Sequence, residues 1–284
     1  MGDIASSEPL QLLVIAAHPH DVTWMLGTCG NHVERGDQVT VVCVTGGAGT
    51  HNEALADELR KPLEERDPEI VEAASTAYAS QKRHELTKAC SLFGITNVRV
   101  LPFGDKPIVV TDEVRRSLAD VLYETRPHIV LTELAHRIPG RGRISLAEND
   151  HLTVGTLVAE VLGMVGLPDI ERGRAPHRVA VVYSYAAGLR PSDVDLLVDI
   201  SEQAEKRMQA EMLFESQGHT EAWARKRMES SIGADGFSAG VGYAESFIRW
   251  STPVEGHLIV SEHELRVAHM SMEERIRKVS QLIP

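Results

Sequence analysis

Cysteine is scarce in this sequence, and the three present, Cys29, Cys43 and Cys90, are odd in number and share no CxxC spacing. They read as small buried hydrophobes of a reducing cytoplasm rather than as a disulfide framework. Positive charge is in deficit, with 29 Lys and Arg against 41 Asp and Glu and a formal net charge of -12. No basic stripe offsets it, so a nucleic-acid partner is not expected. No window supplies the long uncharged apolar run of a membrane span. The opening MGDIASSEPL carries acidic but no basic residues ahead of LLVIAA. Neither a membrane partner nor a secretory signal is therefore expected, and the location is read as cytoplasmic. GxGxxG spacing is missing after the first apolar run, which removes support for a nicotinamide cofactor. Internal repeats and low-complexity linkers are missing too.

What is present is an alternation of strand-like and helix-like segments over 284 residues, 43% of them hydrophobic, enough for one large α/β domain with a sizeable core. Residues 11–17 and 38–45 (QVTVVCVT) read as the strands of a βαβ opening, joined by a helical pattern that ends near Gly36. Residues 79–94 read as an amphipathic helix stopped by Gly94, with NVRVLPF as the strand after it. A helix begins near Thr111 and Asp112, whose side chains suit an N-cap, and HIVLTEL (128–134) is the next strand. HRVAVVYSY (177–185) and DLLVDI (195–200) are strand-like. Residues 201–217 read as a helix with an imperfect capping box at Ser201, because Ala204 stands where the box needs Glu. The charged stretch 51–78 reads as a long excursion, GADGFSAGVG as a glycine-rich loop, and 260–281 as one or two surface helices. The expected fold is α/β, a Rossmann-like and mostly parallel sheet with helices on both faces plus a C-terminal helical extension. Its expected organisation is a catalytic domain over 1–200 with a helical and loop extension over 201–284 packed on it.

In such sheets functional residues follow the carboxyl ends of strands. The first strand runs into Ala17-His18-Pro19-His20-Asp21, and the loop after HIVLTEL leads to Glu148-Asn149-Asp150-His151. If both turns share a sheet edge, His18, Asp21 and His151 converge as two imidazoles and a carboxylate. With an open fourth position, that donor set suits catalytic rather than structural zinc, and it also accepts other divalent transition metals. The plain alternative for a His-rich turn is capping and local hydrogen bonding.

The segment AAHPHDVTWMLGTCGNHVERGDQVTVVCVTGGAGT resembles the opening of the LmbE-like, or PIG-L type, N-acetylglucosaminyl deacetylase superfamily, whose usual form is AHPDDE. RHELTKACSLFGITNVRVLPFGD is similar to the family's helix, strand and following aspartate, here Asp105. ENDHLTVG is similar to its H-P-D-H-x-x-V-G motif, and VDISEQAEKRMQAEMLFESQ followed by YAESF to its C-terminal region. The resemblance implies zinc held by His18, Asp21 and His151, with Asp150 orienting a ligating or catalytic side chain. It implies hydrolysis of an N-acyl bond in a small molecule, an amino sugar or glycoconjugate, and makes a homo-oligomer plausible. Four positions depart from the family pattern: His20 replaces the base aspartate, Glu148 the first histidine of H-P-D-H, Val22 a glutamate, and Lys82 stands near a substrate-contacting arginine.

Amide hydrolysis at zinc needs a water made acidic by the ion, a base, an oxyanion stabiliser and an acid for the leaving amine. His20 can act as the base, with an ordinary pKa of about 6.5, as a fourth ligand, or only as a hydrogen-bonding turn residue. Glu148 can act as acid or base, or as a carboxylate at a helix N-terminus. The departures admit a swap in which carboxylate and imidazole exchange sides of the metal. They also admit a protein that binds metal or ligand without deacetylation, and a zinc enzyme that acts on a different bond. Candidate substrate contacts are Lys82, His51 and Arg141, the last in RIPGRGR beside Arg137 and Arg143, since guanidinium forks suit anionic oxygens. A solvated loop and a helix cap are the plain readings of these residues.

Overall fold

The computed structural model describes residues 8–72, 75–135, 146–185 and 194–283, with backbone alone at 72, 75, 76 and 146–149. Its strands are β1 (Gln11–Ala16), β2 (Gln38–Thr45), β3 (Asn97–Phe103), β4 (Ile129–Thr132), β5 (Val181–Tyr185), β6 (Leu196–Asp199) and β7 (Ala244–Arg249). Among the described residues they form a seven-stranded sheet in the order β3-β2-β1-β4-β5-β7-β6. The pairs from β3 across to β5 are parallel, and β7 runs antiparallel to both β5 and β6.

The central strands are near-continuous apolar runs because both faces are covered. Alternation along the pleat sends Leu12, Val14 and Ala16 into one core with Val41 and Cys43, and Leu13 and Ile15 into the other with Val42 and Val44. The first core is closed by α1 (Leu26–Glu34) and α4 (Ser75–Ser91), the second by α5 (Asp112–Thr125) and α6 (Leu146–Val165). Each such aliphatic side chain contributes roughly 1.5–3 kcal/mol on burial. All three cysteines are free, buried and part of the first core, as small hydrophobes. Thr111 caps α5 as expected, accepting from Val114 N at 3.3 Å.

Strand order reverses between β1 and β4, because the chain builds outward from β1 through β2 to β3 and then returns to build β4 and β5 on the other side. At such a switch point the connections diverge and leave a crevice at the carboxyl ends of the two strands. Gly155 sets how closely α6 approaches that crevice. A Cβ there would stand 2.2 Å from the carbonyl oxygen of Leu134, just beyond β4, so only glycine permits the contact. His151 lies one turn earlier on the same helix face.

Several expectations need correction. The excursion after β2 contains α2 (Glu53–Arg60), with Asn52 accepting from Leu55 N at 3.2 Å as its cap, and α3 (Pro68–Glu72). Ser201 does not open one long helix: its hydroxyl donates to Asp199 Oδ1 at 2.6 Å and accepts from Tyr243 N at 3.1 Å. A 3₁₀ turn, Ser201–Gln203, therefore precedes α7 (Ala204–Met212), and the chain then breaks to bury Phe214. Beyond α8 (Glu221–Arg227), two of the four glycines expected to form a loop lie in helical elements, Gly233 at the end of a π-helical turn, Met228–Gly233, and Gly236 in α9 (Ala234–Ala239), while Gly240 and Gly242 follow α9 in the turn before β7. Gly236 serves close packing, since a Cβ would meet the Gly242 carbonyl oxygen at 2.5 Å. Two short capped helices, α10 (Glu262–His269) and α11 (Met272–Val279), follow at the surface.

The C-terminal segment is more than helix and loop, because β7 inserts between β5 and β6 in the main sheet. Glu245 on β7 accepts from Gly27 N at 3.0 Å and Thr28 N at 2.8 Å. It thereby satisfies two of the amide donors that the first turn of α1 leaves free. Arg207 and Glu211 on α7 complete this buried charge network, with Arg207 Nη1 2.6 Å from Glu211 Oε1 and Arg207 Nε 3.7 Å from Glu245 Oε1. Among the described residues no helix is long and apolar enough to cross a membrane.

Gly155→Ala is expected to destabilise the protein by roughly 1–3 kcal/mol through overpacking. Urea unfolding checks it, and an unchanged midpoint would contradict the close approach of α6 to β4.

Candidate metal centre

The chain leaving β1 turns at once into a 3₁₀ helix, Pro19–Met25, with His18 as its N-cap. Three residues complete a 3₁₀ turn, so positions three apart eclipse. His18 and Asp21 are thus held together locally: Asp21 Oδ2 accepts from His18 N at 2.8 Å and stands 3.1 Å from His18 Nδ1. The other ring nitrogen, Nε2, lies 3.2 Å from Asp150 Oδ2 and 3.3 Å from Thr50 Oγ1. Asp150 is itself pinned by the amides of Lys106 at 3.1 Å and Ile108 at 2.9 Å. An ionised carboxylate only accepts, so Asp150 keeps a proton on Nε2, and Nδ1, facing Asp21, is the nitrogen whose proton a cation would displace.

His151 arrives from α6. Its Nδ1 is 3.7 Å from Asp21 Oδ2 and 3.0 Å from Glu133 Oε1, and its ring stands edge-on to that of His18 with centroids 5.4 Å apart. Ligating atoms of His18, Asp21 and His151 all fall within 4.8 Å of one another. Donors bound to one ion at about 2.0–2.2 Å are themselves roughly 3–3.5 Å apart. The His18 to Asp21 separation already has that value, and the two imidazoles with one carboxylate match the chemistry of a borderline transition metal.

Charge points the same way. Burial opposes a proton on His18, but Asp21 and Asp150 outweigh it and push its pKa up to about 9. Burial likewise opposes a proton on His151, yet Glu133 and Asp21 raise it to about 10. Burial opposes the ionised form of Asp21, but the two histidines hold its carboxyl well below the usual range.

The other residues expected at the site are distributed differently. His20 sits one step before Asp21 on the 3₁₀ turn, rotated away from the eclipsed pair. Its Nε2 lies 3.0 Å from Glu211 Oε2, with Phe214 and His219 edge-on to its ring at 4.9 and 4.6 Å. His20, Glu211 and His219 form a second group with ligand atoms within 4.8 Å of one another. Two guanidiniums already compete for that carboxylate, Arg207 Nη1 at 2.6 Å and Arg227 Nε at 3.5 Å from Glu211 Oε1, which disfavours a cation. Burial lowers the pKa of His20 and, together with His20, brings His219 down to about 4.

Lys82 is 1% exposed, and its ammonium donates to the carbonyl oxygens of Gly47, at 3.0 Å, and Thr50. It therefore holds the loop after β2. Asp105 grips the same loop from the other side through Gly49 N at 3.0 Å and Thr50 Oγ1 at 2.7 Å. His51 is exposed, pairs with Glu53 at 3.3 Å and takes a left-handed φ of 54°. Arg137, Arg141 and Arg143 lie outside the described residues, as does the side chain of Glu148, whose backbone belongs to α6.

Sequence reasoning missed Glu133, Tyr185, Glu211 and His219. The signal for Glu133 was visible, a carboxylate at the end of the apolar run HIVLTEL. Glu211 and His219 meet His20 only through tertiary packing.

The sequence matches the family profile "PIG-L: GlcNAc-PI de-N-acetylase" over residues 13–162, a span containing His18, Asp21, Glu133, Asp150 and His151. It is 27% identical over 233 residues to the diacetylchitobiose deacetylase of Thermococcus kodakarensis, with 78% of this chain and 76% of that one covered. The N,N'-diacetylchitobiose deacetylase of Pyrococcus horikoshii shares the fold with a TM-score of 0.67 at 22% identity, over 87% of this chain and 86% of that one. The 4-carboxy-2-hydroxymuconate hydratase of Pseudomonas putida KT2440 shares it with a TM-score of 0.69 at 21% identity, over 88% of this chain and 100% of that one.

A cation entering the site competes with the protons on His18 and His151, whose pKa values are raised to about 9 and 10. Affinity for Zn²⁺ or Co²⁺ is expected to rise with pH between 6.5 and 8.5, by up to about 100-fold per unit if two protons leave. Competition against a chromophoric chelator measures this, and a flat profile would contradict it.

Proposed function

The chain belongs to the PIG-L (GlcNAc-PI de-N-acetylase) family, and from that premise we propose that it is a metal-dependent hydrolase that removes an acetyl group from an N-acetylated amino sugar or glycoconjugate. The observation that carries the reading is the grouping of His18, Asp21 and His151 at the β1/β4 switch point, inside the segment that matches the family. The names of the relatives supply the acyl group and the substrate class.

In this reading His18, Asp21 and His151 hold the ion, zinc before other divalent metals. When bound, it polarises the amide carbonyl and makes water acidic. Asp150 keeps His18 in the ligating tautomer. Lys82 and Asp105 hold the Gly47–Thr50 backbone in place, and through it the Thr50 hydroxyl beside His18. Glu148, three residues before His151 on α6, is assigned the proton transfer to the leaving amine. His20 is assigned to the pocket wall, where burial keeps it neutral against the pull of Glu211. It is not assigned to the metal.

A second reading is a zinc enzyme that acts on a bond other than an amide. What favours it is the replacement of the family's base aspartate by His20 and the turning of His20 toward Glu211. The same fold also carries a hydratase.

Purified protein is expected to contain about one divalent metal per chain and to release acetate and free amine from a panel of N-acetyl sugars. His18→Ala is expected to lose both the metal and at least about 100-fold in rate, since removing even an outer-shell partner costs up to that much. Metal without amine release, but with water added to or removed from an unsaturated acid, would move the assignment to the second reading.

A further inference from the structure

Glu133 follows β4 directly, and its side chain is 4% exposed. A carboxylate buried to that degree needs partners to offset its lost hydration. Three donors meet its Oε1: Ala17 N at 3.1 Å, the Tyr185 hydroxyl, and His151 Nδ1 at 3.0 Å. Its own carbonyl oxygen accepts from Ser184 Oγ at 2.7 Å. Backbone and side chain are thus gripped by both neighbouring strands, β1 through Ala17 and β5 through Ser184 and Tyr185. Of the three donors to Oε1, two belong to the sheet, and the third is the imidazole that α6 brings to Asp21.

The arrangement is related to the one around His18, with one difference: Glu133 meets His151 at Nδ1, the nitrogen that also stands 3.7 Å from Asp21 Oδ2, whereas Asp150 takes the His18 nitrogen turned away from Asp21. There Asp150, anchored by two backbone amides, receives one ring nitrogen. Here Glu133, anchored by one amide and a phenol, receives a nitrogen of His151. Each imidazole of the site therefore has its own buried carboxylate, and ligating histidines are oriented by partners of this kind. A structural explanation would leave Glu133 capping Ala17 alone, and Ala17 N does not account for its approach to His151 or for the hydroxyl of Tyr185.

We propose that Glu133, braced by Tyr185, is the positioning residue of His151: it sets the rotation of the ring and adds negative charge beside the cation. The proposal rests on the metal-centre reading above and extends it to residues outside the three ligands.

The test uses the full chain, with Zn²⁺ and Co²⁺ as probes, in wild type, Glu133→Gln and Tyr185→Phe. Thermal unfolding first shows which variants are folded. Chelator competition then gives the metal dissociation constant, and visible absorption of the Co²⁺ form reports the ligand geometry. Glu133→Gln is expected to weaken metal binding about 10–100-fold and to shift the Co²⁺ bands, and Tyr185→Phe to weaken it about threefold. A folded Glu133→Gln with an unchanged dissociation constant and unchanged bands overturns the proposal and leaves the metal centre standing. If Glu133→Gln does not fold, Tyr185→Phe decides: weaker binding supports the proposal, and wild-type binding overturns it. A wild-type protein that binds neither ion overturns both this proposal and the metal-centre reading.

Discussion

The parallel pairing of β1 with β4, in the register Leu12 to Ile129 through Ile15 to Thr132, sets every distance at the site. Side chains alternate along a strand with a period of two, so a slip of one residue would turn each of them to the opposite face. In the observed register Glu133 is level with the exit from β1 and takes the Ala17 amide. His18 follows one residue later, where the 3₁₀ turn stacks it on Asp21. Gly155 then lets α6 come against the end of β4, which closes the arrangement with His151. The site is therefore built on the ends of the two central strands and on α6, to which, among the described residues, the loops add Thr50 and the amides of Lys106 and Ile108.

Electrostatics explains why such a group can be stable before any ion arrives. Three carboxylates, Asp21, Glu133 and Asp150, surround two imidazoles. The raised pKa values of His18 and His151 mean that protons supply the positive charge that the carboxylates demand. A divalent cation would supply two positive charges to the same space and release those protons. The neighbouring group around Glu211 is solved differently, with Arg207 and Arg227 as permanent counter-charges. Its histidines are left neutral, since burial outweighs the attraction of the carboxylate.

The parts of this structure that were legible in the sequence are those set by short-range rules. The apolar runs of β1 and β2, the Thr111 cap and the stop at Gly94 follow from local pattern, and the His18 to Asp21 spacing is a single turn. His151 was legible only through the resemblance and the tendency of parallel strands to present their ends at one edge. The orientation of His20 was not, because it depends on Glu211 and His219 arriving from almost two hundred residues away. Lys82 stood as a substrate candidate only through the resemblance, which puts it near a substrate-contacting arginine; here the carbonyl groups of a glycine-rich loop hold its ammonium inside. The segment containing Ala234–Ala239 read as a loop because glycine breaks helices on average, whereas Gly236 is required by the proximity of Gly242.

The clamp of Glu245 on the first turn of α1 has a consequence for the order of assembly. Synthesis proceeds from the N-terminus, so the metal-side motif and its helix leave the ribosome long before the strand that finishes them. Until residue 245 has emerged and β7 has slotted between β5 and β6, the amides of Gly27 and Thr28 lack their native acceptor. The His18–Asp21 turn and the helix after it are made early, yet they must wait in a nascent intermediate for the last strand of the sheet.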